Sequence, residues 1–409
     1  MRKAILVLIL SAAMIITASL HMARASSEPG QSASKSAASH NAFAFRMLEE
    51  LVKEYPGKNI VISPLSIELA LSMTYNGARG ETEKAMANAM GVPGIKSSEL
   101  NSLNMELLKR LEDKDRDVEL TVANSIWLKP GLKVNREFIS QVSKGYSASI
   151  KNVLNVAEIN GWVVKNTKGR IKKIIDDVAG ETVMMLINAV YFKGAWTTPF
   201  NKNKTSDQLF HLNDTDKVTV PMMRREKVSG FAKFDECQSV YLTYGNAKAY
   251  RMYIFCPNQV TGLPDFVAHL NNGSWDNYMK EFQKTAPDRK SKAQQVECRL
   301  TMPRFTGEFD ADLIPSLSRM GMEIAFQSGK ADFTGIADGL FIERVLHKCS
   351  VDVNEEGTEA AAATAVMVGR GMGNSVVADH PFFFAVTHGE SSTILFMGAI
   401  YNPHNKVKR

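Results

Sequence analysis

A mixed α+β fold in one large domain is what this sequence predicts, and three observations predict it. Helical periodicity fills the chain from His40 to about Glu112. Strand-like segments predominate from Val218 onward. No internal repeat and no Pro/Gly-rich linker interrupts the chain between them. Helices followed by strands is the pattern of α+β architectures. A length of 409 residues alone would suggest two or three domains, but the missing linkers favour one.

The chain opens with Arg2 and Lys3, an apolar run from Ala4 to Leu20, and the small-x-small site Ala23-Arg24-Ala25. This is the pattern of a secretory signal over residues 1–25, with maturation at Ser26 and an extracellular destination. Ser26 to Ser39 is polar and Ser/Ala-rich, and is expected as a disordered lead. Ser63-Pro64 then starts a helix, a hydroxyl cap followed by Pro at the first helical position, and Gly77 ends it. Glu81 to Met90 is a second helix, closed by Gly91 and Pro93. The period changes at Val118 to Trp127, which reads as a strand. Asn160 to Asp176 returns to helix, with Trp162, Val163, Ile171 and Ile174 at its apolar positions. Val183 to Phe192 is nearly all apolar, hence a strand buried on both faces. Later strands are expected at Val240-Tyr241-Leu242, Tyr250 to Phe255, Cys298 to Phe305, Val345 to Val353, Phe382 to Val386 and Ile394 to Ile400. Residues 404–409 form a basic tail, and its end is no endoplasmic-reticulum retrieval signal.

Composition narrows the function classes. A 44% hydrophobic content supports a large core, and a net charge of +6 falls to near +3 once the signal leaves. That is too mild for a nucleic-acid partner, and no later stretch is long and apolar enough to span a membrane. A denser group, Lys165, Lys168, Arg170, Lys172 and Lys173, would suit an anionic polysaccharide or simply be a solvated helix face. Cys237, Cys256, Cys298 and Cys349 match no metal motif and leave three pairings or free thiols open. Sequons at Asn203, Asn213 and Asn272 are glycosylation candidates in a secreted chain. No Gly-x-Ser-x-Gly elbow, His-Glu-x-x-His motif or metal-ligand cluster is present, so neither an enzyme nor a cofactor or metal is expected.

The most informative stretch is Glu355-Glu356-Gly357-Thr358-Glu359-Ala360-Ala361-Ala362-Ala363, continuing to Val366 and followed by a lone Arg370 among glycines. In an extended strand alternate residues face opposite sides. Thr358, Ala360, Ala362, Thr364, Val366 and Val368 form one uncharged face, while Glu359 puts the only charge on the other. Such a segment can enter a sheet at little desolvation cost. Ala is also the best helix former, so helix or loop competes with that reading.

Together with other segments this stretch resembles the serpin family of serine protease inhibitors. The resemblance runs from about His40 to Pro403. It is carried by Asn59 to Ser66, Gly77 to Thr82, Leu186 to Gly194 with Trp196 and Phe200, Val220 to Met223, His347-Lys348, the Glu355 to Ala363 hinge, His380-Pro381-Phe382 and Phe396-Met397-Gly398. It implies three sheets (A, B and C), about eight or nine helices and an exposed reactive loop near 355–380. A protease attacks that loop as substrate, and the loop then inserts into sheet A with the acyl-linked protease attached. Ser63, Asn188 and His347 match family positions under the opening of sheet A. Counting fourteen steps from Gly357 reaches Gly371, whereas counting eleven back from Pro381 reaches Arg370. An Arg fills a trypsin-like pocket and Gly does not, so Arg370-Gly371 is the expected reactive bond. Met372-Gly373 competes and would point to chymotrypsin- or elastase-like targets. The implied protein is a monomeric suicide inhibitor of trypsin-like serine proteases. A non-inhibitory carrier or chaperone is the alternative, disfavoured by the absence of bulky or charged residues from Ala360 to Val366.

Overall fold

The computed structural model describes residues 29–111, 115–146, 148–285, 295–358, 373–389 and 393–404. The first half alternates between helices and strands: α1 (Pro29–Glu54), β1 (Ile60–Ile62), α2 (Pro64–Tyr75), α3 (Gly80–Met90), α4 (Ser97–Leu111), β2 (Val118–Leu128), α5 (Arg136–Tyr146), β3 (Ser149–Lys151), α6 (Val156–Asn166) and β4 (Met184–Ala195). Strands then take over: β5 (Ser206–His211), β6 (Lys217–Val228), β7 (Gly230–Lys233), β8 (Cys237–Tyr244) and β9 (Tyr250–Pro257). After α7 (Leu263–Ala268) and α8 (Asn272–Thr285) come β10 (Val296–Pro303), β11 (Phe305–Asp312), α9 (Ile314–Leu317), β12 (Arg344–Val353), β13 (Gly357–Thr358), β14 (Asn374–Val377), β15 (Phe382–His388) and β16 (Thr393–Ile400). They form three sheets, labelled here as the resemblance implies. Sheet A has the order β11-β12-β4-β2-β3, with β13 attached to β4; sheet B has β1-β16-β15-β9-β8-β7; sheet C has β14-β10-β6-β5.

Sheet A is buried on both faces because β4 is apolar on both. Met184, Leu186, Val190 and Phe192 enter the main core. Met185, Ile187 and Ala189 join a second core beneath α6, with Ile159, Val163 and Trp127. Helix α2 passes behind the sheet with every residue buried. A helix sealed on all sides must find partners for its polar positions. Ser66 and Glu68 are such positions, and Glu68 is taken by the buried His40 imidazole of α1.

Three expectations are corrected. The lead expected to be disordered is helical from Pro29 as part of α1, a composition rich in Ala favouring helix, and Ala37, His40 and Asn41 of that helix are buried. The helix expected to reach Asp176 ends at Asn166, where Lys168 and Gly169 both turn to positive φ, +51° and +78°. Ile171, Ile174 and Ile175 stay buried although they are not helical. The returning chain is held by Asn160, whose Oδ1 accepts from the Ile174 and Ile175 amides. Ser63 does occupy the N-cap of α2, but its side chain makes no capping hydrogen bond. All four cysteines are buried and free, which resolves the open choice in favour of thiols. Among the described residues no helix is long and apolar enough to cross a membrane, and no group of His, Cys, Asp or Glu could hold a metal ion.

Candidate functional site

The site is the seam between β12 and β4, together with the turn that follows β12. These two strands run parallel, in register from Arg344 opposite Met185 to Ser350 opposite Tyr191. Beyond Ser350 the chain leaves its partner and turns back at Asn354 to Gly357, closed by a 2.8 Å hydrogen bond from the Asn354 amide to the Gly357 carbonyl. Gly357 sits at φ +146°, and a Cβ there would lie 2.1 Å from the Gly194 carbonyl oxygen. No other residue type fits that position without moving the backbone. The turn delivers β13 antiparallel onto β4, Gly357 opposite Ala195 and Thr358 opposite Gly194.

This turn is heavily anchored. The Trp196 and Phe200 amides donate to the Glu356 and Glu355 carbonyls at 2.9 and 2.7 Å, and the Trp196 indole donates to the Asn354 carbonyl at 2.9 Å. Trp196 in turn stacks on Tyr244 at 4.2 Å between ring centroids. The Glu355 side chain is only 2% exposed. It accepts from Arg304 Nε at 3.1 Å, Arg304 Nη2 at 2.6 Å and the Thr205 hydroxyl at 2.6 Å. Burial would raise this carboxyl, but the hydrogen bonds from Arg304 and Thr205 outweigh it and hold the group below the usual range. Glu356 lies outside the cluster and pairs with Lys202.

A second polar cluster crosses the seam at mid-height. His347 stands opposite Asn188 across the β12–β4 ladder. Its Nδ1 donates to Asn188 Oδ1, and Asn188 Nδ2 donates to Ser66 Oγ and Asn124 Oδ1. His347 Nε2 is buried and unpartnered. Burial therefore disfavours the imidazolium and lowers the His347 pKa to about 3. The structure thus brings Asn188 and His347 into contact across the two strands. The hydroxyl beneath them belongs to Ser66, one helical turn beyond Ser63. Ser66 and Asn124 were not singled out from sequence.

Glu359 to Ala363, Arg370, Gly371 and Met372 lie outside the described residues, as do the signal segment and the tail beyond His404. Of the basic group, Lys168 pairs with Glu119, Lys173 with Asp176, and Arg170 lies 4.9 Å over the Tyr191 ring. These local partners favour a solvated surface. Among the sequons, Asn203 is exposed on a short 3-10 turn (Lys202–Lys204), and Asn213 Nδ2 reaches Asp216 at 2.9 Å on the surface. Asn272 differs, because its Nδ2 donates to the Ala38 carbonyl at 2.8 Å and its Oδ1 is buried without a partner.

A family model described as "Serpin (serine protease inhibitor)" matches residues 38–403. The chain belongs to the serpin family, with the serpin fold of three sheets seen above. Its relatives include the leukocyte elastase inhibitor of Sus scrofa, 35% identical over 388 residues that cover 90% of this chain and 99% of that protein. Neuroserpin of Homo sapiens is 32% identical over 369 residues, covering 85% and 86%. Among solved structures, the thermophilic serpin tengpin in its native state superposes with a TM-score of 0.80 at 27% identity, covering 90% and 94%. Human thyroxine-binding globulin complexed with its hormone gives 0.80 at 26% identity, covering 91% and 100%. Proteins named for inhibition and one solved with a bound hormone thus both stand among the chain's likenesses.

Proposed function

We propose that this serpin is a secreted suicide-substrate inhibitor of trypsin-like serine proteases, cut at Arg370-Gly371 and trapping the acyl-enzyme by insertion of its cut loop into sheet A. One observation carries the reading: β13 is already paired on β4, pointing down the seam. After insertion, the same register would set Ala360 opposite Phe192, Ala362 opposite Val190, Thr364 opposite Asn188 and Val368 opposite Met184. Residues directly opposite share a face. Thr358, Ala360, Ala362, Thr364, Val366 and Val368 would therefore join Phe192, Val190 and Leu186 on the core side. Glu359 would fall on the side of α6. The segment from Gly357 to Val368 matches β4 residue for residue and ends just before the proposed cut.

The direction of entry supplies the driving force. Because β12 and β4 are parallel and the turn reverses the chain, an incoming strand is antiparallel to both. One parallel ladder is replaced by two antiparallel ones, which are slightly more stable per residue. At roughly 1 kcal/mol net per new hydrogen bond, a dozen paired residues contribute on the order of 10 kcal/mol. That equals the stability of an ordinary domain, so the uncut form is held kinetically. The local cost is the His347–Asn188 hydrogen bond, which spans the path of entry. In the inserted state Thr364 would bring a hydroxyl to that level, where His347 Nε2 has no partner.

Two further readings have specific support. The elastase inhibitors among the relatives favour cleavage at Met372-Gly373 by an elastase-like enzyme. The hormone-bound relative favours a carrier. Incubation with trypsin and with elastase, followed by a denaturing gel and sequencing of the released fragment, separates all three. An adduct with trypsin and a fragment starting at Gly371 support the proposal. A fragment starting at Gly373 with elastase moves the bond, and cleavage without any adduct leaves the carrier. Secretion is tested separately by the N-terminus of the exported protein, expected at Ser26.

A further inference from the structure

Sheet C turns one face to solvent, and its charge is unbalanced. Glu226 of β6 accepts from Arg224 Nε and from Arg299 Nε of β10, each at 3.1 Å, with Lys204 Nζ at 3.6 Å. Three cations share one carboxylate, and all remain accessible, at 40%, 46% and 27% exposure. The neighbouring Glu297 is neutralised by Lys227. Asp207 stands at the far edge of the sheet, opposite Pro221. The patch therefore carries a local excess of about two positive charges.

Its position gives this charge a use. Ser375 of β14 lies opposite Arg299 in the β10–β14 ladder, and Val377, 40% exposed, lies opposite Thr301. Strand β14 starts at Asn374, three residues after Gly371. Three residues of extended chain span at most about 11 Å. A protease acting at Arg370-Gly371 would therefore be tethered within about 11 Å of the β14 end of sheet C, close enough for its surface to meet this patch. We propose that the patch formed by Arg224, Arg299 and Lys204 is a docking surface for the target protease, and that the target is acidic on the side of its cleft that receives the residues after the cut bond. The inference rests on the inhibitory reading above and narrows it, selecting among Arg-cleaving proteases by surface charge. Complementary charge beside a reacting loop acts chiefly on association rate and fades with added salt.

The test uses two trypsins of the same Arg specificity, one anionic and one cationic, and measures second-order inhibition rates at low and high salt. The native protein should inhibit the anionic enzyme faster at low salt, by about tenfold. Arg224→Glu with Arg299→Glu should collapse or invert that preference, with adduct yield and melting temperature retained. Glu226→Gln should shift it the other way. If the double reversal unfolds the protein, Arg224→Gln with Arg299→Gln serves, with a smaller loss in the same direction. A rate ratio untouched by these changes overturns the proposal. So does loss of retention on a heparin column with unchanged rates, which assigns the patch to a polysaccharide. Absence of adduct with any protease is a different result: it removes the inhibitory reading, and the docking surface with it.

Discussion

Replacing Glu355 with Ala tests whether the turn after β12 is the clasp of the molecule. The carboxylate is almost wholly buried and receives three hydrogen bonds, two from Arg304 and one from Thr205. Hydrogen bonds to a charged group are worth about 1.5–3 kcal/mol each. Arg304, however, is 46% exposed, so its charge stays hydrated when the partner is gone, and the ion-pair share is discounted accordingly. A loss of about 2–3 kcal/mol remains. For a chain of this size that lowers the melting temperature by roughly 3 °C. Loosening the clasp should also let the uncut loop enter the seam, seen as new bands on a native gel after mild heating. The pH dependence has a definite sign. The Glu355 carboxyl is held below its unfolded value of 4.5. Its contribution is therefore complete above that pH and disappears as pH falls through the folded value. Melting followed by circular dichroism should show a constant gap between native and variant protein from about pH 5 to 8 that narrows progressively as pH falls below 4.5. A gap under about 1 °C at neutral pH, or one that persists in acid, would refute the reasoning.

Four other outcomes are expected. Thr358→Arg forces a charge onto the core-facing side of the entering strand, so trypsin should still cut the chain but form no adduct on a denaturing gel. Arg370→Ala should abolish inhibition of trypsin, and retained inhibition would relocate the scissile bond. Burial holds the His347 pKa near 3 against 6.5 unfolded. The unfolded chain therefore binds more protons, and stability should fall as pH drops from about 6.5 toward 3; His347→Gln should flatten the part of that slope lying between pH 6.5 and 4.5, measured by thermal melts. Finally, mass spectrometry of glycopeptides should find sugar at Asn203 or Asn213 and none at Asn272, whose amide nitrogen is engaged with α1.

Much of the fold was legible in the residues because it is local. The apolar run of β4 and the glycine turn after α3 each act through their own neighbours. Asn188 and His347 were found because both lie in recognisable strand motifs. Ser66 was not, although it lies in one of those motifs. Nothing in the sequence says which turn of a fully buried helix faces the seam, and only the packing of α2 against β4 decides it. Glu355, in the turn after β12, pairs with Arg304, 51 residues earlier between β10 and β11, and no periodicity reports that contact. The overextended α6 has a plainer cause. Ile171 and Ile174 keep the apolar spacing of a helix while lying beyond Gly169, which ends one. Burial and helicity part company there, and the pattern registers only burial.

Each sheet carries a sealed sulfur: Cys349 in sheet A beside the seam, Cys237 and Cys256 in sheet B, and Cys298 in sheet C. Burial pushes all four thiols up, Cys298 to about 11, so they are inert toward alkylating reagents while the sheets stay shut. The molecule therefore contains its own clock for each layer. Pulse labelling during heating or after a protease nick would time-stamp which layer parts first, without any introduced probe.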